Sequence, residues 1–103
     1  MAEFVKVCNV NDIKEGETQT FDVGKKKILI AKDKGELYAL SPYCTHDGEE
    51  IGNEKIHEHQ VECPRHGARF NIKTGEVTQM PAVFGLSKYD IMLKDDSVFI
   101  DMD

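Results

Sequence analysis

Lys26-Lys27-Ile28-Leu29-Ile30-Ala31-Lys32-Asp33-Lys34-Gly35-Glu36-Leu37-Tyr38-Ala39-Leu40 reads as two strands joined by a tight turn. The apolar run Ile28-Leu29-Ile30 is too short for a buried helix and is bounded by charged residues, and Asp33-Lys34-Gly35 is a hairpin turn signal. Working outward, Phe4-Val5-Lys6-Val7 and Thr18 to Val23 also read as strands, separated by the turn-rich stretch Asn11 to Gly16. Beyond Leu40 the periodicity disappears from Ser41 to Gly52, where Pro42, Gly48 and Gly52 mark an irregular loop. Lys55-Ile56-His57 and Gln60-Val61-Glu62 predict a second, shorter hairpin. Pro64 to Gly67 is a second loop, followed by Arg69-Phe70 and the turn Lys73-Thr74-Gly75-Glu76. After an irregular run from Pro81 to Ser87, Tyr89 to Leu93 and Val98 to Ile100 close the chain around the turn Lys94-Asp95-Asp96. No window holds a 3.6-residue apolar period for three turns. The expectation is therefore an all-β single domain over residues 1–103, with a small lobe inserted near its middle. The strand count favours a barrel or sandwich, because closure removes exposed sheet edges.

The two irregular loops carry the chemistry. One contains Cys44-Thr45-His46 and the other Cys63-Pro64-Arg65-His66, with sixteen residues between His46 and Cys63. Each loop offers one thiolate and one imidazole. Thiolates select zinc, Cu(I) and iron–sulfur centres, and imidazole suits zinc or iron. Zinc is the plain structural alternative, but a Cys₂His₂ zinc site draws paired cysteines from one knuckle and paired histidines from another element. Here each loop mixes the two. A centre with two inequivalent irons accounts for the mixture better: Cys44 and Cys63 on one iron, His46 and His66 on the other.

With C-x-H, a gap, and C-x-x-H followed by Gly67, the sequence resembles the Rieske-type ferredoxins and oxygenase Rieske domains. The similarity runs on through Ala68 to Val77 and to Pro81, and the spacing of the flanking strands extends it over most of the chain. The resemblance implies antiparallel sheets with the cluster at the tip of an insert, taken here as a cluster-binding subdomain of about residues 42–80. It implies one [2Fe–2S] cluster on Cys44, His46, Cys63 and His66, with histidine Nδ1 atoms as ligands near solvent. Their ring protons are then expected to couple potential to pH. Two thiolates neutralise an oxidised core where four would leave it at −2, so Rieske potentials lie at about −150 to +300 mV against roughly −400 mV for plant-type ferredoxins. High-potential members carry an extra cysteine in each loop and a serine donor after the second. This chain has neither cysteine, Ala68 stands at the serine position, and Asp47, Glu49 and Glu50 add negative charge. The low end of the range is expected.

The implied function is one-electron carriage from a flavoprotein ferredoxin reductase to a terminal oxygenase or similar acceptor, without catalysis by the chain itself; no nucleophile–base pair or phosphate-cradling loop is present in the sequence. A Rieske-like small subunit of a nitrite-reductase-type enzyme and a zinc-binding structural module are the competing readings. The formal charge of −6 and pI near 5.1 speak against nucleic-acid binding, and suit either a basic partner face or simple solubility. Without a secretory pattern or a membrane-length apolar run, a cytoplasmic monomer is expected. Three cysteines make a poor disulfide framework, so Cys8 reads as a small buried apolar residue. His57 and His59 read as polar residues on an exposed edge, and Lys25-Lys26-Lys27 as a solvated hairpin end. Arg65 reads equally as a loop cation in water or as a group facing an acidic partner.

Overall fold

The computed structural model describes residues 3–43, 50–51, 54–63, 67–80 and 84–102. Strand β1 (Phe4–Asn9) leads through a 3-10 turn (Val10–Asp12) into β2 (Glu17–Val23), β3 (Lys26–Asp33) and β4 (Glu36–Leu40). Three short strands follow, β5 (Gln60–Glu62), β6 (Arg69–Asn71) and β7 (Val77–Gln79), and then β8 (Lys88–Tyr89), β9 (Ile91–Lys94) and β10 (Ser97–Asp101). Every pairing is antiparallel. The sheets are β1-β10-β9, β2-β3-β4-β8 and β5-β6-β7. The all-β architecture expected from the sequence is the observed one. Among the described residues no helix is long and apolar enough to cross a membrane.

The central hairpin organises everything else. Side chains alternate faces along a strand, and β3 is buried on both. Leu29 and Ala31 of β3, with Leu40 of β4, face a core shared with Ile51, Val61, Cys63, Ala68, Phe70, Ile72 and Leu86. Ile28 and Ile30, with Ala39, face the other core, shared with Cys8, Ile13, Val98 and Ile100. A strand covered on both faces has no polar side to show, which is why residues 28–31 are continuously apolar rather than alternating. The turn between β3 and β4 holds Lys34 and Gly35 at φ of 53° and 81°. Glycine enters that region freely and lysine at some cost. The Glu15 carboxylate offsets the cost by accepting from both turn amides, Lys34 N–H and Gly35 N–H, each at 2.7 Å.

The order of strands places the insert. β4 pairs directly with β8, Ala39 opposite Tyr89 and Leu40 opposite Lys88, although β5, β6 and β7 lie between them in the chain. The small sheet is thus spliced between two neighbouring strands of the larger one. Its outer connection is clamped as well. Thr18 Oγ1 donates to Glu54 O at 2.7 Å and accepts from Glu54 N–H at 2.8 Å, while Ile56 N–H donates to Gly16 O at 2.8 Å.

Three details differ from the sequence expectation. Lys55 and His57 form isolated bridges, to Glu17 and Gln60, rather than a strand of their own. Val77–Gln79 is a third strand of the insert, formed because β6 offers it an edge. The predicted strand Tyr89 to Leu93 breaks at Asp90, where the chain passes from the four-stranded sheet to the three-stranded one.

Cys8 of β1, opposite Val98 of β10, is buried, as expected. Burial, reinforced by the Asp12 charge and opposed by Lys6, pushes its thiol from the usual 9 up to about 11. It therefore stays protonated at neutral and mildly alkaline pH. A thiol-specific disulfide reagent at about pH 8 is expected to leave Cys8 untouched in native protein and to label it on unfolding.

Candidate metal centre

Of the four ligand candidates, the structure describes Cys63; Cys44, His46 and His66 lie outside the described residues. The described residues form the closed bases of both loops. In β5 and β6, Val61 pairs with Phe70 and Glu62 with Arg69, which brings Cys63 opposite Ala68. Cys63 N–H donates to Ala68 O at 2.7 Å and Gly67 N–H to Cys63 O at 3.1 Å, closing the second loop at its base. Gly67 has φ of 78°, a left-handed conformation that a side chain would resist. The first loop is closed in the same way: Tyr43 bridges Glu50, and Ile51 N–H donates to Pro42 O at 2.5 Å.

The two closed bases meet. Ile51, from the end of the first loop, shares one core with Cys63 and Ala68, the ends of the second, and all three are fully buried. The ends of both loops are thereby held against Phe70, Leu40 and Leu86. Glu50, at the exit of the first loop, pairs with Lys27 of β3 at 3.2 Å, and that contact raises the lysine's affinity for its proton. Lys27 thus has a specific partner, unlike the free solvated cation the sequence suggested, and Glu50 contributes less uncompensated negative charge than its identity alone implies.

His59 also departs from expectation. His57 is exposed, but His59 is half-buried, and its Nδ1 meets Asp33 Oδ2. Asp33 closes β3 and is one of the few polar side chains buried among the described residues. Glu58 and His59 turn the insert's first hairpin with φ of 51° and 63°, between the paired amides and carbonyls of His57 and Gln60. The Asp33 contact therefore fastens a strained turn of the insert to the main sheet. Nothing in the sequence announces a pair 26 residues apart. His59→Ala leaves a buried carboxylate without this partner and is expected to cost about 1–3 kcal/mol of stability, measured by urea unfolding.

A family model for the Rieske [2Fe-2S] domain matches residues 3–90. The chain belongs to the Rieske [2Fe-2S] domain family. Its sequence is 34% identical over 94 residues to human apoptosis-inducing factor 3, covering 91% of this chain but only 16% of that protein. It is 30% identical over 98 residues to the biphenyl 2,3-dioxygenase ferredoxin component of Rhodococcus jostii, covering 95% of this chain and 92% of that one. Among solved structures, it superposes on the Sphingomonas yanoikuyae B1 ferredoxin with a TM-score of 0.91 at 25% identity, over 98% of this chain and all of that one. It also matches a chain in the complex of reduced oxygenase and oxidised ferredoxin of carbazole 1,9a-dioxygenase, with a TM-score of 0.86 at 25% identity over 95% and 92% of the two chains.

The Rieske cofactor is one [2Fe–2S] cluster, and the residues present fit it. Cys63 stands at a dry, closed loop base, where a thiolate donor is screened from water. Cys8 is excluded as a donor because it belongs to the other core, under β1 and β10.

Proposed function

We propose that this chain is a one-electron carrier in which Cys44 and Cys63 hold one iron and His46 and His66 the other, within a cluster-binding subdomain of about residues 42–80. The observation that carries the reading is the shared core of Ile51, Cys63 and Ala68, because it seats both ligand loops on one foundation. When bound, a [2Fe–2S] cluster supplies a centre that takes up and releases a single electron.

The protein's own residues do the rest. Ile51, Ala68 and Phe70 exclude water from the side of the site that faces the core. The closed base of the second loop holds Cys63 in place through its hydrogen bond to Ala68, so little rearrangement at that donor accompanies a change of charge. Tyr43, next to the first ligand-loop sequence, and Met80 and Phe84, either side of residues 81–83, are exposed large apolar residues. Apolar rims of this kind suit a transient protein partner. The partners we propose are a flavoprotein reductase as donor and an oxygenase as acceptor; the acceptor is supported by relatives named as a dioxygenase ferredoxin component and as the ferredoxin in an oxygenase complex. A cytoplasmic setting keeps the thiolates reduced, and a monomer leaves the loop end open. The relative of which this chain spans 16% shows that a Rieske unit of this type also occurs inside a longer chain.

The decisive test is composition. Protein prepared without oxygen is expected to contain about two irons and two acid-labile sulfides per chain and to show a Rieske electron paramagnetic resonance spectrum once reduced. Zinc without sulfide overturns the reading.

A further inference from the structure

Two glycines on either side of β7, Gly75 and Gly85, meet backbone to backbone. Gly75 lies in the turn between β6 and β7, with φ of 79°, and is buried. Its N–H donates to Asn71 O at 2.7 Å, and its carbonyl accepts from Leu86 N–H at 2.6 Å. A Cβ on Gly85 would lie 2.5 Å from Gly75 O, and a Cβ on Gly75 would strike the Leu86 carbonyl. Neither position has room for a side chain. The segment that crosses here is anchored by Leu86, which is buried in the same core as Cys63, Ala68 and Ile51.

The register adds a second constraint. Gln79 of β7 pairs with Arg69, so the strand ends beside Ala68, at the base of the second ligand loop. The chain thus leaves the insert at Met80, level with that loop, and rejoins it at the crossing.

We infer that the Gly75–Gly85 crossing is a positioning element for the redox centre: two missing side chains let residues 84–87 rest directly on the turn before β7, and so set how tightly Leu86 closes the core behind Cys63 and Ala68. This rests on the proposal that Cys63 is a ligand. Gly85 is the cleaner probe, because its backbone lies outside the left-handed region and alanine there tests space alone. The segments would have to part by about half an ångström to admit it. Leu86 moves with them, and the wall behind the second loop loosens.

The experiment compares Gly85→Ala, Leu86→Val and Leu29→Val. The last removes the same methylene from the same core, but on β3, outside the two segments that cross. Two readouts are taken: the rate at which a chelator bleaches the cluster, and amide hydrogen exchange of the peptide containing Cys63. G85A is expected to bleach about five- to tenfold faster than the parent with shifted resonance g-values, and L86V about twofold or more, while L29V stays at the parent rate. Exchange at the Cys63 amide, which donates to Ala68, should rise in the same order. Parent-like behaviour of both G85A and L86V overturns the inference, as does an L29V variant as labile as L86V. If G85A does not fold, the L86V and L29V comparison decides. If the parent itself holds no cluster, the ligand proposal fails, and the exchange measurement still tests the crossing.

Discussion

Alanine at His46 or at His66 abolishes the Rieske spectrum while leaving the main sheets folded. The loss is complete rather than partial because, in the proposed ligand set, each imidazole is half of one iron's protein ligation, and water or a stray side chain cannot restore a neutral nitrogen donor at a fixed position. The fold survives because its principal strands and one of its two cores contain no ligand. Ile28, Ile30 and Ala39 pack against Cys8, Ile13, Val98 and Ile100 irrespective of what the loops hold. Far-UV circular dichroism should therefore stay β-type in H46A and H66A as iron and labile sulfide fall toward zero. Cys63→Ser behaves differently in one respect. Its side chain is fully buried at the joint between the two loops, so serine places a hydroxyl in an apolar core as well as weakening the site. C63S is expected to lose the cluster and to melt earlier than either histidine variant. A normal cluster in H46A or H66A overturns the ligand assignment.

Much of this architecture is legible in the sequence because its signals are local. The β3–β4 hairpin combines an apolar run with a turn whose Gly35 adopts φ of 81°, so composition and conformation agree within a few residues. The proposed ligand pairs rest on the same kind of local signal, since Cys44 with His46 and Cys63 with His66 are defined by spacing within single loops. The gap between them is filled by topology: it holds the stretch that clamps Glu54 to Thr18, then the hairpin turned by Glu58 and His59. What stays hidden depends on partners distant in the chain. Val77–Gln79 has no alternating pattern and becomes a strand only because Phe70 and Arg69 present an edge to it. Asp90 ends one strand and begins another because two sheets diverge there. Asp33 and His59 look like a turn residue and a surface residue until the insert folds back on the main sheet. Gly75 and Gly85 read as loop glycines, and the contact that requires them both is visible only in three dimensions. Where one residue type has two possible reasons for being there, sequence alone assigns the commoner one.

Ala68→Ser raises the reduction potential by about 40–90 mV. The residue is fully buried, and its carbonyl already accepts the Cys63 amide across the second loop. A hydroxyl added there sits in the second loop's base beside the proposed cysteine ligand. It also needs an acceptor, since an unpaired buried hydroxyl carries its full desolvation cost. A hydrogen bond to a charged acceptor is worth roughly 1.5–3 kcal/mol, but both oxidation states receive part of it. Only the excess in the more negative, reduced state moves the potential. Taking that excess as about 1–2 kcal/mol and about 59 mV per factor of ten for one electron gives the stated range. The parent is expected near the low end of the Rieske span of about −150 to +300 mV, because Ala68 supplies no such donor. The Lys27 partner of Glu50 offsets part of the acidic contribution of the first loop. Direct electrochemistry on parent and A68S at one pH and salt concentration measures the difference. An unchanged or lower potential with an intact cluster means that the side chain at 68 does not reach the redox centre, and the low potential must then come from the loop charges instead.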